Sequence, residues 1–494
     1  MTRALMFQGT GSDVGKTVLV AGLCRALKNR GLTVRPFKPQ NMSNNAAVAD
    51  DGGEIGRAQW LQALACNVAP SIHMNPVLLK PQSETGSQVV VHGRVTGSAK
   101  GRDYQALKAR LLDAVLHSFE TVKADADIVL IEGAGSPAEI NLRRGDIANM
   151  GFATAADVPV VLVGDIDRGG VIASLVGTHT VLPPVDRQMI AGYLINKFRG
   201  DVSLFDDGLD AVTRFTDWPS FGVLPWQASA ARLPAEDSVV LERLSRGERT
   251  HGLKIVVPVL DRIANFDDLD PLGAEPDVQL IYIRPGDAWP ENPAAVILPG
   301  SKSTIADLTR FRQLGWDDAL AKAHHDGAVI VGLCGGYQML GQAVADPHGI
   351  EGQATGASGL GMLDVTTTMQ PEKTVRNTQA ISVDGGHRLS GYEIHLGETS
   401  GADCDRPVAD LDGRLDGATS PDGHVFGTYL HGLFDSGPYR KAFLARLGAR
   451  SDGLDHRATI EAALDELAAA IETHLNVDAM LSVATRHGRQ LGAA

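Results

Sequence analysis

A short apolar run at residues 4–7 leads into GTGSDVGKT at residues 9–17, and a helical pattern follows over 16–30. A strand, a glycine-rich turn and a helix start in that order can aim several backbone N–H groups at one point, the way a chain holds phosphate. Gly15 lets the backbone approach closely, Lys16 can reach the β- and γ-phosphates, and the Thr17 hydroxyl is placed to ligate Mg²⁺. Gly11, Asp13 and Val14 complete the expected cradle. The common form of this loop carries a glycine where Thr10 stands; here Gly9 sits one place early.

Further β-branched runs occur at 128–131, 158–163, 190–195 and 221–224, separated by longer helical or loop segments. Such alternation predicts parallel strands joined by crossover helices, an α/β fold of the doubly wound kind. Polar residues close the runs, where open α/β sheets bind ligands. Glu132 is a candidate Mg²⁺ ligand or a structural cap. Asp51 and Glu54, in DDGGEIGRAQ, either complete a metal site, contact substrate or belong to a solvated loop. Asp165 and Asp167 pose the same choice, and Asn196 either reads an adenine edge or caps a turn.

With 494 residues the chain is too long for one hydrophobic core. A polar stretch at 231–252 breaks it, and a second strand series follows at 254–260, 279–283, 295–298 and 328–333. The expected organisation is two doubly wound domains with mainly parallel sheets. They occupy 1–235 and 253–447, joined by a linker at 236–252 and followed by a C-terminal helix and tail at 448–494.

The second series carries its own chemistry. In VIVGLCGGYQML an apolar strand runs into Cys334 flanked by small residues, then into a helix. That is the layout of a nucleophile elbow, which exposes the side chain at a tight turn. A helix start beside the sulfur favours thiolate. A cysteine nucleophile needs a base. His431, after the apolar run at 425–430, supplies one. The loop PGSKST brings amides of Gly300 and Ser301 which, with that of Gly335, form a candidate oxyanion hole.

The formal net charge of −14 argues against a broad nucleic-acid surface. The four cysteines (Cys24, Cys66, Cys334 and Cys404) show no metal-ligand or disulfide spacing. The N-terminus lacks a signal-peptide pattern, and no apolar run approaches the roughly 18 residues of a membrane span. A cytoplasmic protein without membrane or nucleic-acid partners is expected; a homo-oligomer is left open.

The glycine loop resembles that of dethiobiotin synthetase-like ATPases, and the Cys334 and His431 segments resemble class I glutamine amidotransferases. Longer strings resemble the cobyric acid synthase family of cobalamin biosynthesis: KPQNMSNNA (38–46), GGEIGRAQ (52–59), HMNPVLLKP (73–81), EGAGSPAEINL (132–142), DIDRGG (165–170), NKFRGD (196–201) and GYEIHLG (391–397). The resemblance extends to about residue 445 and implies a reaction. The b, d, e and g carboxylates of adenosylcobyrinic acid a,c-diamide become amides, each at the cost of one ATP, with Mg²⁺, and one glutamine. Cys334 would release ammonia from glutamine, to travel by a shielded path to the activated carboxylate.

Lys38, Arg57, Lys80, Arg143, Arg144, Arg168 and Arg199 lie in or beside these strings, so some are expected to hold carboxylates of the corrinoid; Lys38, Arg57, Lys80 and Arg168 lead that set. Cobalt would belong to the substrate, and His73, His395 and His431 lack the spacing of a metal triad. Many class I amidotransferases carry a glutamate two residues after the histidine; Leu433 stands there, which leaves Asp435 and Glu393 as candidates to orient His431. Three rival readings differ in chemistry: cobyrinic acid a,c-diamide synthase or another glutamine-dependent amidoligase, a regulatory P-loop ATPase with an inactive amidotransferase domain, and a dethiobiotin synthetase with an accessory domain.

Overall fold

The computed structural model describes residues 2–81, 86–236, 251–352 and 355–486. They form two compact units. One comprises Met1–Ser43, Ala49–Pro234 and Ile460–Ala494; the other comprises Asn44–Val48 and Ala235–Thr459. Most of the linker expected at 236–252 lies outside the described residues.

The first unit is built on a six-stranded sheet in the order Ser220–Pro225, Ile190–Phe198, Val160–Asp165, Arg3–Gly9, Ile128–Glu132, Val34–Phe37. All neighbours are parallel. The strands Ile128–Glu132 and Val160–Asp165 are buried along their whole length. Their unbroken apolar runs therefore reflect a sheet covered on both faces. Helix Lys16–Asn29 covers one face through Leu19, Leu23 and Leu27. Helices Gly101–Ala124 and Val171–Val181 cover the other, through Val115, Phe119 and Leu175. A smaller four-stranded sheet of Gln40–Met42, Val77–Pro81, Gly86–Val91 and Arg94–Lys100 adjoins it.

The C-terminal segment is not an appendage. Helix His456–His474 presents Ile460, Ala463, Leu464, Leu467, Ala468 and Ile471, a three- and four-residue spacing that makes one apolar face. That face packs into the same core as helix Lys16–Asn29. A Cβ at Gly22 would lie 2.5 Å from Ile471 Cδ1, so the two helices touch backbone to side chain. Arg30 pairs with Glu472 at 2.5 Å and Asp478 at 2.6 Å. The helix expected within 448–494 is present, and from Ile460 the chain belongs to the first unit.

The second unit has a six-stranded sheet in the order Val278–Ile283, Leu253–Pro258, Ala295–Leu298, Val329–Leu333, Val425–Thr428, Ala418–Thr419. Only the last strand is antiparallel. Val329–Leu333 and Val425–Thr428 are neighbours, so Cys334 and the segment leading to His431 emerge at the same edge. A second, largely antiparallel sheet escaped the sequence reading. Its long hairpin pairs Thr366–Ser382 with Arg388–Ser400. Thr366–Ser382 reads TTTMQPEKTVRNTQAIS and buries few of its side chains, so it carries little apolar signal. Among the described residues no helix is long and apolar enough to cross a membrane.

Candidate functional site

The glycine loop of the first unit joins the central strand Arg3–Gly9 to helix Lys16–Asn29. Gly15 has φ +86°, and a Cβ there would meet Asn196 Nδ2 at 2.6 Å. Both facts require glycine. The loop is braced from the end of the strand Ile190–Phe198: Asn196 Nδ2 donates to the Val14 carbonyl (2.9 Å), and Lys197 Nζ donates to the Asp13 carbonyl (2.5 Å) and to Asp165 (2.9 Å). Asn196 thus buttresses the phosphate loop in this structure. Lys16 is buried, with Nζ 3.4 Å from the Gly11 carbonyl and 3.3 Å from that of Gly135.

Thr17, Lys38 and Glu132 converge. Thr17 Oγ1 and Lys38 Nζ donate to Glu132 Oε1 at 2.8 and 2.9 Å. Gln62 Nε2, which sequence reasoning missed, donates to Glu132 Oε2 at 2.6 Å. Glu132 is 1% exposed, and three donors meet the cost of burying its charge. Among the described residues no group of three or more His, Cys, Asp or Glu is arranged to hold a metal ion. Mg²⁺ bound beside a nucleotide draws one or two protein oxygens and takes the rest from phosphate and water. Thr17 Oγ1 and Glu132 are the oxygens that fit.

The other metal acids are engaged elsewhere. Asp51 lies at an exposed turn, where it accepts from Ser71 Oγ (2.5 Å) and the Ile72 amide (3.0 Å) and caps the short turn Ile72–Met74. Glu54 and Lys80, expected as metal ligand and carboxylate ligand, are buried together as an ion pair of 2.6 Å. Most of the basic candidates have partners too. Arg168 pairs with Asp13 at 2.8 Å, Arg199 with Asp167 at 2.7 Å, and Arg143 with Asp186 at 2.6 Å. The Arg57 guanidinium lies 4.3 Å from the centroid of the Trp60 ring, and Arg144 is exposed. His73 packs with His92 and His117.

In the second unit Cys334 follows strand Val329–Leu333 with φ 50° and ψ −107°, a strained backbone for a residue with a side chain. The Cys334 amide donates to the Thr428 carbonyl at 2.9 Å, tying the elbow to the neighbouring strand. A Cβ at Gly335 would lie 2.7 Å from the Ser301 amide nitrogen, so the two backbones are in direct contact. Gly300–Ser301 is itself held antiparallel to Ile263–Ala264. The amides proposed for the oxyanion hole therefore come from the elbow and from a short strand pressed against it.

His431 is buried, with Nδ1 2.6 Å from Asp268 Oδ2, while Asp268 Oδ1 accepts the Gly432 amide at 2.8 Å. Its ring stacks on Tyr392 at 5.0 Å, and Asn265 Nδ2 donates to the Tyr392 hydroxyl at 2.8 Å. Burial alone would lower the imidazole pKa, but the Asp268 carboxylate and the facing Cys334 thiol together push it up to about 10. The carboxylate bonded to the His431 ring is thus Asp268, which the sequence reading did not single out. Glu393 is committed to Arg376 (2.5 Å), Arg414 (2.6 Å) and His395 (3.4 Å). Despite the opposing effect of burial, these partners hold its pKa down at about 2. The one sequence signal for Asp268 is an acidic turn, NFDDLD, after a possible strand end.

Residues 5–240 match the family model described as CobQ/CobB/MinD/ParA nucleotide binding domain. Residues 254–439 match the CobB/CobQ-like glutamine amidotransferase domain. Curated relatives named cobyric acid synthase align along nearly the whole chain. That of Sinorhizobium fredii is 67% identical over 472 residues, covering 96% of this chain and 97% of the relative. Those of Rhizobium meliloti and Mesorhizobium japonicum are 66% and 65% identical, covering 96% and 98% of this chain and 98% and 100% of theirs.

Proposed function

The chain belongs to the cobyric acid synthase family, and we propose on that premise that it converts the b, d, e and g carboxylates of adenosylcobyrinic acid a,c-diamide to amides, with ATP as activator and glutamine as nitrogen donor. The observation that carries the glutaminase half of this reading is the Cys334 elbow facing a histidine held by Asp268.

The Cys334 thiolate attacks the side-chain amide carbon of glutamine. The oxyanion that develops accepts from the amides of Gly335 and Ser301, donors already fixed before the reaction. Protonated His431 delivers its proton to the departing nitrogen, which leaves as ammonia. Asp268 keeps the imidazole oriented and charged through that step. Water then attacks the thioester, releasing glutamate and restoring the thiol.

Ammonia cannot displace oxide from a carboxylate, so the acid must first be activated. A substrate carboxylate oxygen attacks the γ-phosphorus of ATP and ADP leaves. Ammonia adds to the resulting acyl phosphate, and phosphate departs with the oxygen. Lys16 and the loop amides offset charge on the transferred group. Thr17 and Glu132 are the residues that would hold Mg²⁺ brought in with the nucleotide, which would neutralise charge on the phosphates. Lys38, Arg57, Lys80 and Arg168 remain candidate corrinoid contacts, with Lys38 and Lys80 reached only by exchanging their buried acids. The reading includes a cytoplasmic location and leaves the oligomeric state open.

The test is product mass after incubation with the diamide, Mg-ATP and glutamine, beside Cys334→Ala given glutamine or ammonium. Four successive amidations by the unaltered protein, and rescue of the variant by ammonium alone, are expected. Glutamine hydrolysis and ATP turnover without any amidation would discard the corrinoid substrate.

A further inference from the structure

The loop that lends Ser301 to the oxyanion hole is short. Strand Ala295–Leu298 ends, Pro299 follows, and helix Thr304–Gln313 begins five residues later. A two-residue ladder with Ile263–Ala264 is little to hold an amide in place through a reaction. A side chain supplies the rest. Ser301 Oγ donates to Asp307 Oδ2 at 2.7 Å and accepts the Ser303 amide at 3.0 Å. Asp307 also receives the backbone amide of Arg262, beside the strand that pairs with Gly300–Ser301. One carboxylate thus ties both sides of that ladder.

Asp307 is 2% exposed and faces a small pocket whose other walls include Leu260, Ile263, Leu298 and Met339. A carboxylate there is costly unless it serves something. It is not needed to cap its helix, because Glu351 accepts the Thr304 and Ile305 amides at 3.0 and 2.9 Å. The stretch it anchors touches the reacting groups: a Cβ at Gly335 would meet the Ser301 amide at 2.7 Å, and a Cβ at Gly300 would lie 3.5 Å from His431 Cε1.

We propose that Asp307 is a positioning residue for glutamine hydrolysis, holding the Ser301 amide through the Ser301 hydroxyl in the place where the oxyanion forms. The proposal rests on the glutaminase reading of Cys334. It also carries a pH signature. Burial pushes the Asp307 pKa up to about 7, with Asp261 adding to the rise and Ser301 and Arg262 opposing it. The ionised form makes the stronger bond to the hydroxyl. Turnover therefore falls as pH drops through that value.

The experiment uses the full chain as wild type, Asp307→Asn, Asp307→Ala, Ser301→Ala and Cys334→Ala. It measures glutaminase kcat and KM against pH, and ammonium-supported amidation as a control. Asp307→Ala should lower glutaminase kcat roughly tenfold or more, less than the loss of an oxyanion donor outright. KM for glutamine should stay within about twofold, because the interaction matters in the transition state. Asp307→Asn, which keeps an acceptor in place, should recover most of the turnover and flatten the acid limb near neutrality. Ammonium-supported amidation should be unchanged in all four variants. Glutaminase kcat within about twofold of wild type in Asp307→Ala would overturn the proposal. If Asp307→Ala also loses the ammonium reaction, it has misfolded and Ser301→Ala decides by the same kcat criterion. Glutaminase activity surviving in Cys334→Ala would overturn the underlying reading instead.

Discussion

His431 and Asp268 stand 163 residues apart in the chain and meet at 2.6 Å between Nδ1 and Oδ2. The histidine follows the strand Val425–Thr428, and the aspartate sits in the turn Phe266–Leu269. Each is buried, so neither could carry its charge without the other.

Asp268→Asn should therefore lower glutamine hydrolysis by roughly 10²-fold or more, since an asparagine cannot stabilise the imidazolium and favours the wrong tautomer. Ammonium-supported amidation should persist. A steady-state assay with each nitrogen source separates the two, and equal losses with both would argue for misfolding.

The same pair makes stability depend on pH. The His431 pKa rises from an unfolded value near 6.5 to about 10 in the folded protein. A group whose folded pKa is raised binds its proton more tightly when folded, so its contribution is complete below the unfolded value and disappears as pH climbs through the folded one. The difference in thermal midpoint between wild type and Asp268→Asn should be widest at pH 6 and shrink steadily towards pH 10. A gap that widens over that range would contradict the assigned charge state.

Glu132 gathers Thr17, Lys38 and Gln62. Replacing it with glutamine leaves the buried Lys38 ammonium without its counter-charge, a change that typically costs about 3–5 kcal/mol. Glu132→Gln should lose amidation with either nitrogen source yet keep glutaminase activity, because Cys334 and His431 lie in the other unit. Denaturant titration gives the stability change, and a glutaminase assay tests whether the effect is confined.

Leu467 is fully buried against helix Lys16–Asn29, next to Gly22. Leu467→Ala should destabilise the first unit by about 2–5 kcal/mol through lost burial and the cavity left behind. ATP binding should fail on heating before glutaminase activity does. Simultaneous loss of both would mean that the two units unfold as one.

Local pattern carried much of this protein. The runs at 4–7, 128–131, 190–195 and 295–298 became strands because short, mainly apolar stretches suit a sheet buried on both faces. Cys334 and the GTGSDVGKT loop were legible because each function needs a particular backbone at consecutive positions, and only small residues permit it. The hairpin of Thr366–Ser382 and Arg388–Ser400 was not legible, since side chains facing water leave no apolar period.

What tertiary structure decided were the partnerships. Asp268 beside His431, Gln62 beside Glu132, and the helix from Ile460 packed on helix Lys16–Asn29 all join residues far apart in the chain. Acidic candidates such as Asp51, Glu54 and Glu393 looked equivalent in sequence, yet one caps a turn and two are paired inside the protein. A carboxylate's role depends on which donors surround it once water is excluded, and only the packed chain determines that.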